Sequence, residues 1–118
     1  MKKIILIASI AFFSQFAFAG TVDTIEVYSN IMHKNIRCCV ITPANIKTAQ
    51  KKYPVIYLLH GYSGNYAQWI TRAPQIQQQA DELQVIMVCP DGGYGSWYID
   101  SPVDSSIRYE TFVGKELV

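Results

Sequence analysis

The sequence predicts an α/β domain built around a parallel sheet that is buried on both faces. Two continuous apolar runs, each stopping in a glycine-rich loop, carry that expectation, together with an amphipathic helical pattern between them. Val55-Ile56-Tyr57-Leu58-Leu59 ends at His60-Gly61, and Val85-Ile86-Met87-Val88-Cys89 ends at Pro90-Asp91-Gly92-Gly93. A strand half-exposed to water alternates apolar with polar residues, whereas unbroken apolar strands belong to parallel sheets covered by helices on both sides. Between the runs, Pro74 suits a first helical turn, and Ile76, Ala80 and Leu83 recur at i, i+4 and i+7. Residues 55–89 therefore read as one β-α-β unit with a right-handed crossover.

The elements around this unit follow in order. Lys2 and Lys3 precede an apolar run from Ile4 to Phe13, and Ala17-Phe18-Ala19 precedes Gly20. A positive start, a short apolar stretch and a small-residue A-x-A end make a secretory signal peptide, cut after Ala19. Ser14-Gln15 breaks the run well short of the roughly 20 residues that span a bilayer, so a membrane anchor is not expected. Thr24 to Ser29 alternates, with Ile25 and Val27 on one face. Asn35 to Thr42 alternates too, and Met32-His33-Lys34-Asn35 can turn the chain between them. These segments predict an antiparallel hairpin. Pro43 to Lys52 is polar and reads as a surface loop. In the last segment, Tyr109, Phe112, Val113 and Leu117 form a helical apolar stripe, weakened at Gly114 by about 1 kcal/mol relative to Ala. Two parallel strands and one crossover are few for an open sheet, so the sequence reads as the first part of a larger domain, with the parallel neighbour of Val85–Cys89 expected beyond Val118.

Composition excludes several functions. The chain of 118 residues is 50% apolar and 16% charged. Loss of residues 1–19 removes two lysines and takes the formal charge from +1 to −1. A near-neutral chain has no electrostatic basis for binding nucleic acid or, once its signal is cut, an anionic membrane. The three cysteines, Cys38, Cys39 and Cys89, are too few and too clustered for a disulfide scaffold. Cys38 and Cys39 would point to opposite faces of a strand, and burial as small apolar residues is the expectation. A bond from one of them to Cys89 stays open. No spacing of Cys and His suits a metal, and no glycine loop has the pattern of a phosphate or dinucleotide site, so no cofactor is expected.

Ligands of open α/β sheets bind beyond the carboxyl ends of the strands. Two loops leave such ends here, His60 to Tyr66 and Pro90 to Tyr98, and both are rich in glycine and aromatic residues. Glycine allows close backbone approach, and aromatic side chains line pockets.

At these residues the chain resembles a known family. Tyr-Pro-Val-Ile-Tyr-Leu-Leu-His-Gly-Tyr at 53–62, Pro-Asp-Gly at 90–92, Ser-Trp-Tyr-Ile-Asp at 96–100 and Tyr-Glu-Thr at 109–111 resemble the esterase D- and feruloyl-esterase-like family of α/β-hydrolases. The resemblance covers residues 24–118. It implies the N-terminal portion of an α/β-hydrolase fold: an antiparallel hairpin, then a parallel β-α-β unit and a helix, with the sheet incomplete. Residues 20–118 would be that portion. It also implies carboxylic-ester hydrolysis by a serine nucleophile, on a small-molecule or polysaccharide-linked ester. In that fold one oxyanion-hole donor comes from the loop after the third strand. The matching donor is the backbone N–H of Tyr62, with Gly61 letting the backbone turn in and His60 holding the loop. Trp97 and Tyr98 are implied in substrate binding.

The nucleophile of this fold sits in a Gly-x-Ser-x-Gly elbow, followed in sequence by an acid and a histidine. This sequence contains no such elbow. Gly61-Tyr62-Ser63-Gly64-Asn65 comes near but ends in Asn65, and the only histidines are His33 and His60. The expectation is an exported serine esterase whose triad is absent from these 118 residues, leaving the chain inert by itself. The alternative is a non-catalytic exported homologue that binds carbohydrate or a protein partner through Trp69, Trp97, Tyr66, Tyr94 and Tyr98.

Overall fold

A computed structural model describes residues 20–48 and 50–118, so the expected signal segment lies outside the described residues. Strands β1 (Thr21–Ser29) and β2 (Lys34–Thr42) form the expected hairpin, in register from Thr21 opposite Thr42 to Ser29 opposite Lys34. His33 closes the turn in the left-handed region, at φ 53°. β1 is an edge strand, and this decides its burial. Val27 packs against the core while Ile25, on the same face, stays 44% exposed.

β3 (Val55–Tyr57) and β4 (Ile86–Pro90) pair in parallel, with Ile56 opposite Met87. Between them lie α1 (Gln68–Arg72) and α2 (Ile76–Leu83). The sequence pattern anticipated only the second, because five residues are too short to show a periodicity. Ile76 and Ala80 are buried as expected, but Leu83 is 64% exposed and Val85 takes its place in the core. The reason is the helix end. Gln84 adopts a left-handed conformation (φ 53°, ψ 51°), and its N–H returns to the carbonyls of Ala80 and Asp81. That C-terminal cap turns the chain before Leu83 can reach the sheet.

The sheet order is β1-β2-β4-β3. The expectation that the second apolar run lacks a partner is corrected here. β4 is central, antiparallel to β2 on one side and parallel to β3 on the other. Among the described residues the sheet has two edges, β1 and β3, and on β3 Val55 and Ile56 are exposed. Both faces of the centre are covered. On one, Cys39, Ile41, Met87 and Cys89 pack under Ile76, Ala80 and Val85. On the other, Ile36 and Cys38 pack with Met32, Tyr109 and Phe112.

The last segment is helical, though not one continuous α-helix. A short α3 (Tyr109–Thr111) widens into a π-helical turn at Phe112–Glu116, with Leu117 N–H donating to Phe112 O at 2.9 Å. Glu116 accepts hydrogen bonds from Ser29 Oγ (2.6 Å) and Ile31 N–H (3.0 Å), tying this segment to the hairpin turn.

All three cysteines are free and buried, Cys38 on one face and Cys39 with Cys89 on the other. Burial pushes the Cys38 thiol up to about 11 and the Cys89 thiol up to about 12, and raises Cys39 in the same direction. Thiolate, the reactive form, is therefore suppressed. A thiol reagent at pH 8 should label none of them until urea unfolds the chain. Labelling as fast as a free thiol in buffer would contradict this packing. The sign of the linkage follows. Above pH 9 the unfolded thiols ionise while the folded ones stay protonated, so stability falls as pH rises.

Candidate active site

β3 and β4 run in parallel, so their carboxyl ends share one end of the sheet, and their two loops meet there around a recess of about 240 Å³. A wider recess of about 570 Å³, lined by Ala44, Asn45, Thr48, Asp81 and Gln84, lies at the opposite end, where β2 finishes and β4 begins. Among the described residues its lining has no aromatic side chain and no Ser, Cys or His.

His60 joins the two loops. Gly92 N–H donates to His60 Nε2 at 2.9 Å, so the ring proton lies on Nδ1, 2.8 Å from Gly61 O, which accepts it. Asp91 Oδ1 stands 3.7 Å from Nε2, too far for a hydrogen bond, and accepts instead from Gly93 N–H at 2.8 Å. Both imidazole nitrogens are thus occupied within a buried ring. A general base needs a free nitrogen aimed at the proton it takes. His60 holds backbone in place.

Tyr98 completes the clamp. Its hydroxyl donates to Pro90 O at 2.9 Å and accepts from His60 N–H at 3.3 Å. Its ring lies edge-on to His60, with centroids 5.4 Å apart. Burial pushes its phenol well above the ordinary range, so it stays a donor. Gly92 is required beneath it, because a Cβ there would fall 2.3 Å from Tyr98 Cζ. Sequence reading placed Tyr98 with the substrate; its hydroxyl is engaged by the protein and its ring packs inward, while the ring still lines the recess. Tyr98→Phe leaves the buried Pro90 carbonyl and His60 N–H unpaired, at a cost of about 1–3 kcal/mol. Urea unfolding of the native protein measures it; an unchanged midpoint would contradict the clamp.

Tyr62 follows this anchored histidine. Among the described residues its N–H donates to no acceptor, whereas the next N–H, of Ser63, is held by Tyr94 O at 2.8 Å. Gly61 does not make the turn in the expected way. A Cβ there would meet nothing within 4 Å, and its φ is not positive. The left-handed residue is Ser63, at φ 59°. Ser63 Oγ makes no hydrogen bond with either histidine, and no Ser, Thr or Cys side chain among the described residues does. His33 lies exposed in the hairpin turn.

Trp97 and Tyr98 both have positive φ, 56° and 54°. For residues with bulky side chains this costs about 1–2 kcal/mol each. Ser96 Oγ holds the turn, donating to Gly92 O and accepting from Tyr98 N–H. The two inversions send Tyr98 inward and Trp97 outward. Trp97 stacks on Tyr62 with centroids 6.0 Å apart, and Tyr94 meets Tyr62 edge-on at 5.0 Å. Trp69, by contrast, is a supporting residue on α1, its Nε1–H donating to Leu59 O at 3.1 Å.

The known proteins most informative about this arrangement are esterases. The sequence model of the family described as "Putative esterase" matches residues 29–118. An acetyl esterase of Caldicellulosiruptor saccharolyticus is 30% identical over 103 residues, covering 80% of this chain and 37% of that protein. An esterase of Mycobacterium tuberculosis (strain ATCC 25618 / H37Rv) is 33% identical over 76 residues, covering 62% and 16%. Among solved structures, a ferulic acid esterase superposes with a TM-score of 0.71 at 28% identity, over 86% of this chain and 42% of its own. An S-formylglutathione hydrolase from Agrobacterium tumefaciens gives 0.69 at 20% identity, over 86% and 43%, a likeness of fold. The chain spans less than half the length of each of these relatives. With the mixed sheet, the two loops at its carboxyl end and the family match over residues 29–118, the chain belongs to the esterase family of α/β-hydrolases.

Proposed function

We propose that the native protein is an exported carboxylic-ester hydrolase in which the loop after β3 supplies half of an oxyanion hole. The carrying observation is the Tyr62 N–H, unbonded among the described residues and fixed in position by His60 and Tyr98. An N–H held at a strand end, in a site preorganised before substrate arrives, stabilises the negative oxygen of a tetrahedral intermediate. A serine in a Gly-x-Ser-x-Gly elbow would attack the ester carbonyl, with a histidine taking its proton and an acid orienting that histidine. This chain contributes none of those three groups, so the proposal assigns them to sequence outside these 118 residues. The second oxyanion donor would be the N–H after that serine.

Membership of the esterase family supports ester hydrolysis. The residues Lys2-Lys3 and Ala17-Phe18-Ala19 support export, and with it esters met outside the cytosol, such as acyl or feruloyl groups on polysaccharide. The native protein should hydrolyse at least one of p-nitrophenyl acetate, methyl ferulate and acetylated xylan, and should lose that activity to an active-site serine reagent. Failure on all three would reject the reading. Export is checked separately by N-terminal sequencing, with Gly20 expected first.

A further inference from the structure

We propose that Cys39 and Cys89 are a disulfide-forming pair, joined across β2 and β4 when the chain folds in the presence of a low-molecular-weight disulfide, with Cys38 left as a free thiol. The proposal goes beyond ester hydrolysis and meets it only through export, which would carry the chain to a compartment where such bonds persist. The three thiols are free in this structure, and the sheet register decides which two can meet. Cys39 stands directly opposite Cys89, whereas Cys38 stands opposite Pro90. Directly opposed residues put their side chains on the same face of a sheet. Cys39 and Cys89 accordingly share the core layer under α2, and Cys38 projects into the other layer, among Met32, Ile36, Tyr109 and Phe112. The sequence leaves both adjacent cysteines open as partners of Cys89, and the sheet itself separates Cys38 from it. The backbone spacing also suits a bond. Asp91 N–H donates to Arg37 O at 2.9 Å, and that pair lies two residues along the same register, so Cys39 and Cys89 are a hydrogen-bonded pair. Such pairs hold their Cα atoms about 5.5 Å apart. Disulfides bridge Cα atoms about 4.4–6.8 Å apart. Burial raises the Cys89 thiol most, and Cys39 adds to the rise ahead of Cys38, as its nearer neighbour would.

The oxidation is two thiol–disulfide exchanges, with oxidised glutathione as the representative oxidant. The thiolate of one cysteine attacks a glutathione sulfur, forms a mixed disulfide and releases one reduced glutathione. The thiolate of the other attacks the protein sulfur of that mixed disulfide, forms the Cys39 Sγ–Cys89 Sγ bond and releases the second. The two cysteines lose two electrons and two protons, and the glutathione disulfide gains them. Burial suppresses both thiolates once the sheet has closed, so the exchange belongs to folding and the finished bond is sheltered from reductant. The bond closes a loop of about 50 residues that holds β3, His60, α1 and α2. Cys89 stands three residues before Gly92, whose N–H holds His60, so the cross-link tethers the frame of the strand-end loops. Closing a loop of this length removes entropy from the unfolded chain.

The experiment unfolds and reduces the native protein in urea with dithiothreitol, then refolds it either in mixed reduced and oxidised glutathione or in dithiothreitol. Each sample is alkylated with iodoacetamide in urea without reductant, cut with trypsin and weighed. After the glutathione refold, the fragment of residues 38–47 should be linked to that of residues 73–108, lighter by two hydrogens than the separate fragments, with one alkyl group on Cys38. After the dithiothreitol refold, all three cysteines should be alkylated, and Tm should be about 10 °C lower than in the linked protein. Fragmentation between Cys38 and Cys39 places the label, so the reading does not depend on any variant's folding. Cys38→Ala should keep the link and Cys39→Ala should lose it. Three alkylated cysteines after the glutathione refold overturn the proposal, and so does a link that runs from Cys38. The refold supplies its own oxidant, so a failure of export, seen as Met1 retained on N-terminal sequencing, leaves this test of the pairing standing.

Discussion

Tyr62→Pro in the native protein is expected to lower kcat for ester hydrolysis by about 10²–10³, the usual consequence of removing one oxyanion donor. Proline deletes the backbone N–H and nothing else of the donor set, whereas Tyr62→Phe keeps it and should fall far less. Side-chain substitutions at this residue therefore test the wrong atom. Ethyl acetate is the informative substrate, because it separates the N–H from the stacked Tyr62 ring. KM for it should change little, since the developing oxyanion makes the interaction and the ground-state carbonyl makes less of it. Circular dichroism and Tm guard against a misfolded variant. A well-folded Tyr62→Pro protein with undiminished kcat would remove Tyr62 from the oxyanion hole.

The legible part of this molecule is the part written in periodicity. The hairpin shows in alternation and β4 as a continuous apolar run, because each pattern follows from how many faces of a strand are buried, while β3 carries the same apolar run with Val55 and Ile56 exposed. Sheet order does not follow from such patterns. Nothing in Val85–Cys89 says that β2 will lie beside it, since the pairing of Cys39 with Cys89 joins residues far apart in sequence. Leu83 misled for a local reason: it fits the helical stripe, yet the left-handed cap at Gln84, a residue with no special preference for that conformation, turns the chain away from the sheet.

The site was legible as a place and less so as a mechanism. Two glycine- and aromatic-rich loops after apolar strands mark a strand-end cleft. The roles inside it depend on backbone angles that side-chain chemistry does not announce. Gly61 suggested the turn, and Ser63 makes it. Trp97 and Tyr98 look equivalent as adjacent aromatic residues, and consecutive left-handed conformations send one out to solvent and the other into the His60 clamp. Gly92 is explained only by the ring of Tyr98 lying against it.

Residues 20–118 produced as an isolated polypeptide are expected to self-associate and to hydrolyse no ester above the buffer rate. The physical cause is the free side of β3. Val55 is 44% and Ile56 39% exposed there, beside a row of backbone groups that β4 satisfies on one side only. An apolar edge with unpaired N–H and C=O groups is a template for another strand. Correcting the sheet order moves this liability from β4 to β3 without removing it. The chemical cause is separate. His60 has no free nitrogen, Ser63 has no base, and a lone N–H stabilises an oxyanion that nothing generates. Light scattering and urea unfolding test the first cause, and p-nitrophenyl acetate turnover tests the second. A monodisperse monomer with a single cooperative transition would show that the open β3 edge is tolerated. Turnover that disappears in Ser63→Ala would show that the left-handed Ser63 is a nucleophile after all, and would move the reaction into the loop where only the oxyanion donor is placed here.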